Sequence, residues 1–221
     1  MKKQLLKSML MAVVGVGLLA GGAMAVPVSL TYTGDNVIDT FYLQNGALVT
    51  GINIAADTNR TDWQQTSTSV LNLTAGNNYS VIWEVSNDGA FTNSNPAGFL
   101  AQINAGGANP ILSSATWYYA IKQQGATTAN FFTPSWTWLS AVEWGDNDGD
   151  GDNIWEQVHG GKIAGIGDEA KWIWSDTNFA SGVDYEVFIR ADFTAVPEPA
   201  TMLLFGTGIA GLAGIARRKR S

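Results

Sequence analysis

Between Val183 and Phe193 the chain alternates. Val183, Tyr185, Val187, Ile189, Ala191 and Phe193 form one register, and Asp184, Glu186, Phe188, Arg190 and Asp192 form the other. A strand turns successive side chains to opposite faces, so a two-residue period of this length predicts a strand with one face in a core and one at the surface. Shorter pieces repeat the theme. Val37, Phe41 and Leu43 mark a strand around Asp39, and Asn45-Gly46 predicts a tight turn into Leu48-Val49, with positive φ at both turn residues. Ser69 to Leu73 and Tyr79 to Val85 flank the turn-like run Ala75-Gly76-Asn77-Asn78. Short β-branched and aromatic runs broken by Gly, Asn, Thr and Ser predict an all-β sandwich, and no internal repeat is evident.

The two ends have a different character. Lys2, Lys3 and Lys7 precede an apolar stretch from Met9 to about Ala20, and Ala23-Met24-Ala25 is a small-x-small cleavage site. This predicts a signal peptide over 1–25 and a mature chain beginning at Val26. At the other end, Val196-Pro197-Glu198-Pro199 is followed by an apolar run of 17 residues, 200–216, and then by Arg217-Arg218-Lys219-Arg220. At 1.5 Å rise per residue such a helix is about 25 Å long, enough for a thin bilayer. The basic cluster would stay on the cytoplasmic side, with the body outside. Gly206, Ala210 and Gly214 would share one helix face, through small-residue packing or simply through the Gly/Ala content of such tails.

The order Pro197-Glu198-Pro199, apolar helix, Arg-rich end resembles the PEP-CTERM sorting signal, over about the last 26 residues. The resemblance implies recognition by an exosortase, cleavage near Pro-Glu-Pro, and a Gram-negative host that makes exopolysaccharide. On that reading Pro197, Glu198 and Pro199 are recognition residues, and the two prolines hold an extended segment outside the membrane. The expected organisation is therefore 1–25 signal peptide, 26–195 one β-sandwich domain, and 196–221 a sorting tail with a transmembrane helix.

The body holds 18 acidic and 5 basic residues. That balance argues against a nucleic-acid partner and favours cations as ligands. The chain has no cysteine, which removes disulfides, thiol chemistry and cysteine metal sites. All nine Trp and all six Tyr lie in the body.

A second resemblance is carried by Asn36-Val37, Leu43-Gln44-Asn45-Gly46, Asp62-Trp63, Leu73-Thr74-Ala75-Gly76-Asn77-Asn78, Ser86-Asn87-Asp88-Gly89, Pro96 to Ala101, Ala170-Lys171-Trp172-Ile173-Trp174 and Tyr185 to Phe193. Their order is similar to galactose-binding-like, discoidin-type domains, and implies a single eight-stranded jelly roll over most of 29–194. The acidic segment 146–153 departs from that pattern and reads as an insertion between strands.

That segment, Asp146-Asn147-Asp148-Gly149-Asp150-Gly151-Asp152-Asn153, is the best site candidate in the body. Alternating Asp with intervening Gly lets a loop curl and aim several carboxylates at one centre, as calcium requires. Asp146, Asp148 and Asp150 take the first, third and fifth loop positions, and Asp152 can offer its carbonyl. Gln157 falls at the twelfth, where a bidentate Glu is expected, and Glu156 sits one residue early. The loop resembles an EF-hand-type or thrombospondin-repeat-type calcium loop without its strongest ligand. The alternative is a solvated acidic loop.

Other candidates are weaker. Trp117, Tyr118, Tyr119, Trp136, Trp138, Trp144 and Trp155 form an aromatic-rich zone that could stack on sugar rings or fill a core, and Trp136 and Trp138 would share a strand face. Trp63, Trp83, Trp172 and Trp174 read as structural. His159, the lone histidine, lies in a turn-like Val158-His159-Gly160-Gly161 without a nucleophile elbow or a zinc partner set. Glu84, Glu143 and Glu186 are scattered in sequence, so no hydrolytic pair can be placed.

The expected function is a non-catalytic surface or matrix module in contact with exopolysaccharide, transiently anchored at the cell envelope. The alternatives are an enzyme acting on polysaccharide through paired carboxylates, and a purely structural surface protein stiffened by calcium.

Overall fold

The computed structural model describes residues 24–87, 97–122, 137–159, 161–175 and 186–197. The signal-peptide stretch 1–23, Trp136, the Val183 to Tyr185 part of the predicted strand, Glu198, Pro199 and the apolar run 200–216 lie outside them. Among the described residues no helix is long and apolar enough to cross a membrane.

Val26, Val28, Leu30 and Tyr32 are buried while Pro27, Ser29 and Thr31 face outward, and this period builds β1 (Ala25–Asp35). It pairs antiparallel with β4 (Ser67–Thr74) on one side and β6 (Gly98–Asn104) on the other. Beyond β6 come β11 (Lys171–Trp174) and β10 (Val142–Asp146), and the two-residue β7 (Ile111–Leu112) also pairs with β6. The second sheet has the order β3 (Leu48–Ile52), β2 (Val37–Asn45), β5 (Asn78–Ser86), β12 (Glu186–Thr194), β8 (Tyr118–Ile121), β9 (Leu139–Ser140). Among the described residues every strand pair is antiparallel.

The inner faces close on one another as a β-sandwich. Tyr32 of the first sheet sits 5.9 Å from Phe41 and 5.8 Å from Trp83 of the second, between ring centroids. Phe99 meets Trp83 at 5.0 Å, and Trp117 stacks on Trp83 with planes 3° apart. The alternation that opened the sequence reading appears in β12: Val187, Ile189, Ala191 and Phe193 enter this core and Glu186, Arg190 and Asp192 face out. Phe188, in the outward register, joins Tyr42 and Ile82 in a small apolar cluster on the outer face of the second sheet.

Two local expectations are corrected. Asn45 pairs with Leu48, so the turn residues are Gly46 and Ala47, and only Gly46 has positive φ, at 59°. In β2 the register against β5 shifts between Ile38 and Thr40. That bulge breaks the period, so Ile38 rather than Val37 is buried.

The turn Ala75-Gly76-Asn77 ties the two ends of the described body together. The Ala75 N–H donates to the Met24 carbonyl at 2.8 Å, and the Gly76 N–H donates to the Ala195 carbonyl at 2.7 Å. Ala195 N–H returns a bond to Asn77, and Val196 N–H donates to Ala105 at 2.9 Å.

Candidate functional site

The acidic segment leaves β10 and returns to β11 after crossing the outer face of the first sheet, and it is rooted by side chains that are not acidic. Asn147, fully buried, donates from its amide to the Ile163 and Ile166 carbonyls, both at 3.1 Å, and accepts from Ile163 N–H at 2.7 Å. Asn153 donates to the Asp146 carbonyl and accepts from Glu156 N–H, capping α1 (Ile154–His159). Trp155 on α1 then stacks on Trp172 of β11, with centroids 5.1 Å apart. Leu100, Ile163, Ile166 and Ala170 complete this second core, with Trp63, Leu112 and Trp144 packed at its edge.

The rooted loop gathers three carboxylates. One oxygen each from Asp148, Asp150 and Glu156 lies within 4.8 Å of the other two. Asp148 accepts from Asp150 N–H at 3.0 Å and Asp150 from Asp152 N–H at 2.9 Å, so each Asp folds the chain back on itself. Glu156, only 3 % exposed, accepts from Gly149 and Gly151 N–H, one on each oxygen. Gly149 and Gly151 hold φ of 85° and 82°, which a side chain would strain. Each carboxylate oxygen keeps a further lone pair beyond these bonds.

The other sequence candidates lie beside this group. Asp146 binds Lys171 at 2.6 Å, and that bond holds its carboxyl below the usual range. Asp152 is fully exposed, and the Asp150 charge raises its pKa. The Gln157 amide donates to the Gly151 carbonyl at 3.1 Å. His159 ends a helix rather than lying in a turn.

The signal for Glu156 was present in the sequence. Asn153-Ile154-Trp155-Glu156 has the spacing of a capping box, which places a helix start at Asn153 and turns Glu156 back toward the loop. By loop position alone Glu156 stands one residue before the expected bidentate ligand.

The second sheet brings together carboxylates that are far apart in sequence. Lys122 bridges Glu84 and Glu186, contacting Glu186 at 2.8 Å, and Tyr42 donates to Glu84 at 3.2 Å. Burial alone would lower the Lys122 pKa, but its bonds to Glu186 and Glu84 carry it upward. Burial, then the Glu84 charge, pushes the Tyr42 phenol up to about 12. Glu143 is separate and accepts from Ala115 N–H. Trp138 lies over Arg190 on this same outer face, and Trp83, Trp117, Trp155, Trp172 and Trp174 are all buried.

No curated protein and no solved structure matches the chain. Residues 195–220 match the PEP-CTERM protein-sorting motif, so the chain carries the tail of an exported, exosortase-sorted protein of the cell envelope or surface.

Proposed function

We propose that the chain is a non-catalytic module of the cell surface or extracellular matrix of a Gram-negative bacterium, stiffened by calcium in the loop between β10 and β11 and in contact with exopolysaccharide. The gathering of Asp148, Asp150 and Glu156 on a loop rooted in its own apolar core carries the calcium reading. Calcium takes six to eight oxygens at about 2.3–2.6 Å, so three carboxylates need loop carbonyls and water to complete the shell. The sandwich is a jelly roll on this reading, and the run 200–216 holds the body at the membrane until an exosortase cleaves near Pro197-Glu198-Pro199.

A melting curve of the full chain with calcium and with chelator tests the loop. A rise in Tm with calcium, reversed by chelator, is expected. No shift in either direction counts against the site. For the tail, replacing Glu198 by Ala in the host should leave an uncleaved chain in the membrane fraction.

The paired-carboxylate reading has one observation in its favour, since Glu84 and Glu186 do meet. Both carboxylates are bound to the same Lys122, and Glu84 also accepts from Tyr42, whereas hydrolysis needs a carboxyl free to pass its proton to the substrate. The binding reading therefore stands ahead of it.

A further inference from the structure

The outer face of the second sheet presents its polar residues in rows. Gln44, Ser80 and Asp192 are successive partners across β2, β5 and β12, and Asn78 partners Thr194 in the next row. Strands lie about 4.8 Å apart, so each row offers hydrogen-bonding groups at that interval. These five residues line a groove of about 490 Å³, together with Arg190 and the edges of Tyr79 and Phe193. That is within the usual range for small-ligand sites.

The groups are already ordered. Ser80 donates to Asp192, Thr194 donates to Asn78 at 2.6 Å, and Arg190 grips Asp192 through two nitrogens at 2.8 and 3.1 Å. The Arg190 guanidinium also lies over Trp138 at 5.5 Å and over Tyr118 at 6.0 Å. Asn78 is engaged through its oxygen and Gln44 through its amide nitrogen, leaving a donor on one and an acceptor on the other.

Charge selects the class of ligand. Arg190 and Asp192 neutralise each other at the groove, so an anion meets Asp192 and a cation meets Arg190 without a free counter-charge. A neutral molecule with many hydroxyls suffers neither penalty and can use donors and acceptors in alternation. Tyr118, 38 % exposed, and Trp138 provide aromatic surface where the groove ends at Arg190.

We propose that this groove binds a neutral saccharide segment, with Asn78, Gln44 and Asp192 as its hydrogen-bonding residues. The proposal rests on the reading of the chain as a non-catalytic surface module, and names the ligand class of that module.

The test is a glycan microarray probed with the full-length protein, carrying neutral gluco-, manno- and galacto-oligosaccharides beside uronate-containing ones. The wild type should bind neutral members. Gln44→Ala with Asn78→Ala should weaken that binding at least tenfold with an unchanged melting curve, and Val70→Thr on the far sheet should leave it intact. Asp192→Asn frees the Arg190 charge and should move preference toward uronates, which loss of folding cannot do. The proposal is overturned if the folded wild type binds no neutral oligosaccharide, if the double variant binds as well as wild type, or if binding is confined to uronates and vanishes with salt. Tail processing and the calcium shift are read in separate experiments, so a negative array beside positive results there sinks the groove alone.

Discussion

The indole of Trp155 lies flat on the indole of Trp172, with their planes 7° from parallel, although 16 residues separate them in sequence. This one stack holds an acidic loop against the face of a sheet. Its position also explains a glycine: a Cβ at Gly98 would sit 2.7 Å from the Trp155 ring. Replacing Trp155 by Ala should cost about 3–5 kcal/mol, the usual range for a buried Trp. Denaturant melts would show the loss, and any calcium response should weaken with it.

Asp148 and Asp150 repel each other and Glu156 when no cation is present. Converting both to Asn should therefore leave the calcium-free protein as stable as wild type or slightly more so, while abolishing the calcium-induced rise in Tm. Paired thermal scans with calcium and with chelator read both parts. A double variant that keeps the calcium shift would remove these two residues from the site.

Asp35 is 2 % exposed, and among the described residues its Oδ1 finds no hydrogen-bond partner. Burial raises its pKa to about 7. The folded state then holds a proton that the unfolded state releases near pH 4, so this contribution is complete below about pH 4 and is lost as pH rises through about 7. Asp35→Asn should flatten that decline, so its Tm advantage over wild type should grow from pH 4 to pH 8. Equal slopes for the two proteins would rule out the assignment.

Lys122 holds two acids whose own burial differs. Glu84 is 11 % exposed at its side chain and Glu186 is 41 % exposed. Lys122→Met strands the more buried one and should destabilise by about 2–3 kcal/mol, below the 3–5 of a fully buried pair because water still reaches the site. Adding Glu84→Gln should recover most of that loss. A chemical-denaturation cycle over the four proteins measures the coupling.

Much of the sandwich was legible because its strands obey a two-residue period. β12, β5 and the β2–β3 hairpin fall where Val187, Tyr79 to Val85 and Gly46 put them. What escaped detection were departures from that period, such as the bulge at Ile38 to Thr40, which exchanges one inward residue for its neighbour. The acidic loop was legible as a cluster, because alternating Asp and Gly is a local pattern. Its organisation was not, because Asn147, Trp155 and Glu156 act through partners 16 to 19 residues away or through a helix too short to show periodicity. The groove left no sequence signal, since its rows exist only once β2, β5 and β12 are side by side.

The Ala75-Gly76-Asn77 turn clasps Met24 on one side and Ala195 on the other, so both chain ends leave the sandwich at a single pole. Only Glu198 and Pro199 lie between Pro197 and the apolar run beginning at Ala200, a span of about 10 Å when extended. If that run anchors the chain as proposed, the body would hang like a pendant on a short cord, with Asn78 and its groove beside the point of suspension. A flexible insert after Val196 would lengthen the cord, and should let an uncleaved chain on intact cells bind the neutral oligosaccharides that the released form binds. Cleavage would then do more than set the protein free: it would turn its gripping face from the lipid toward the surroundings.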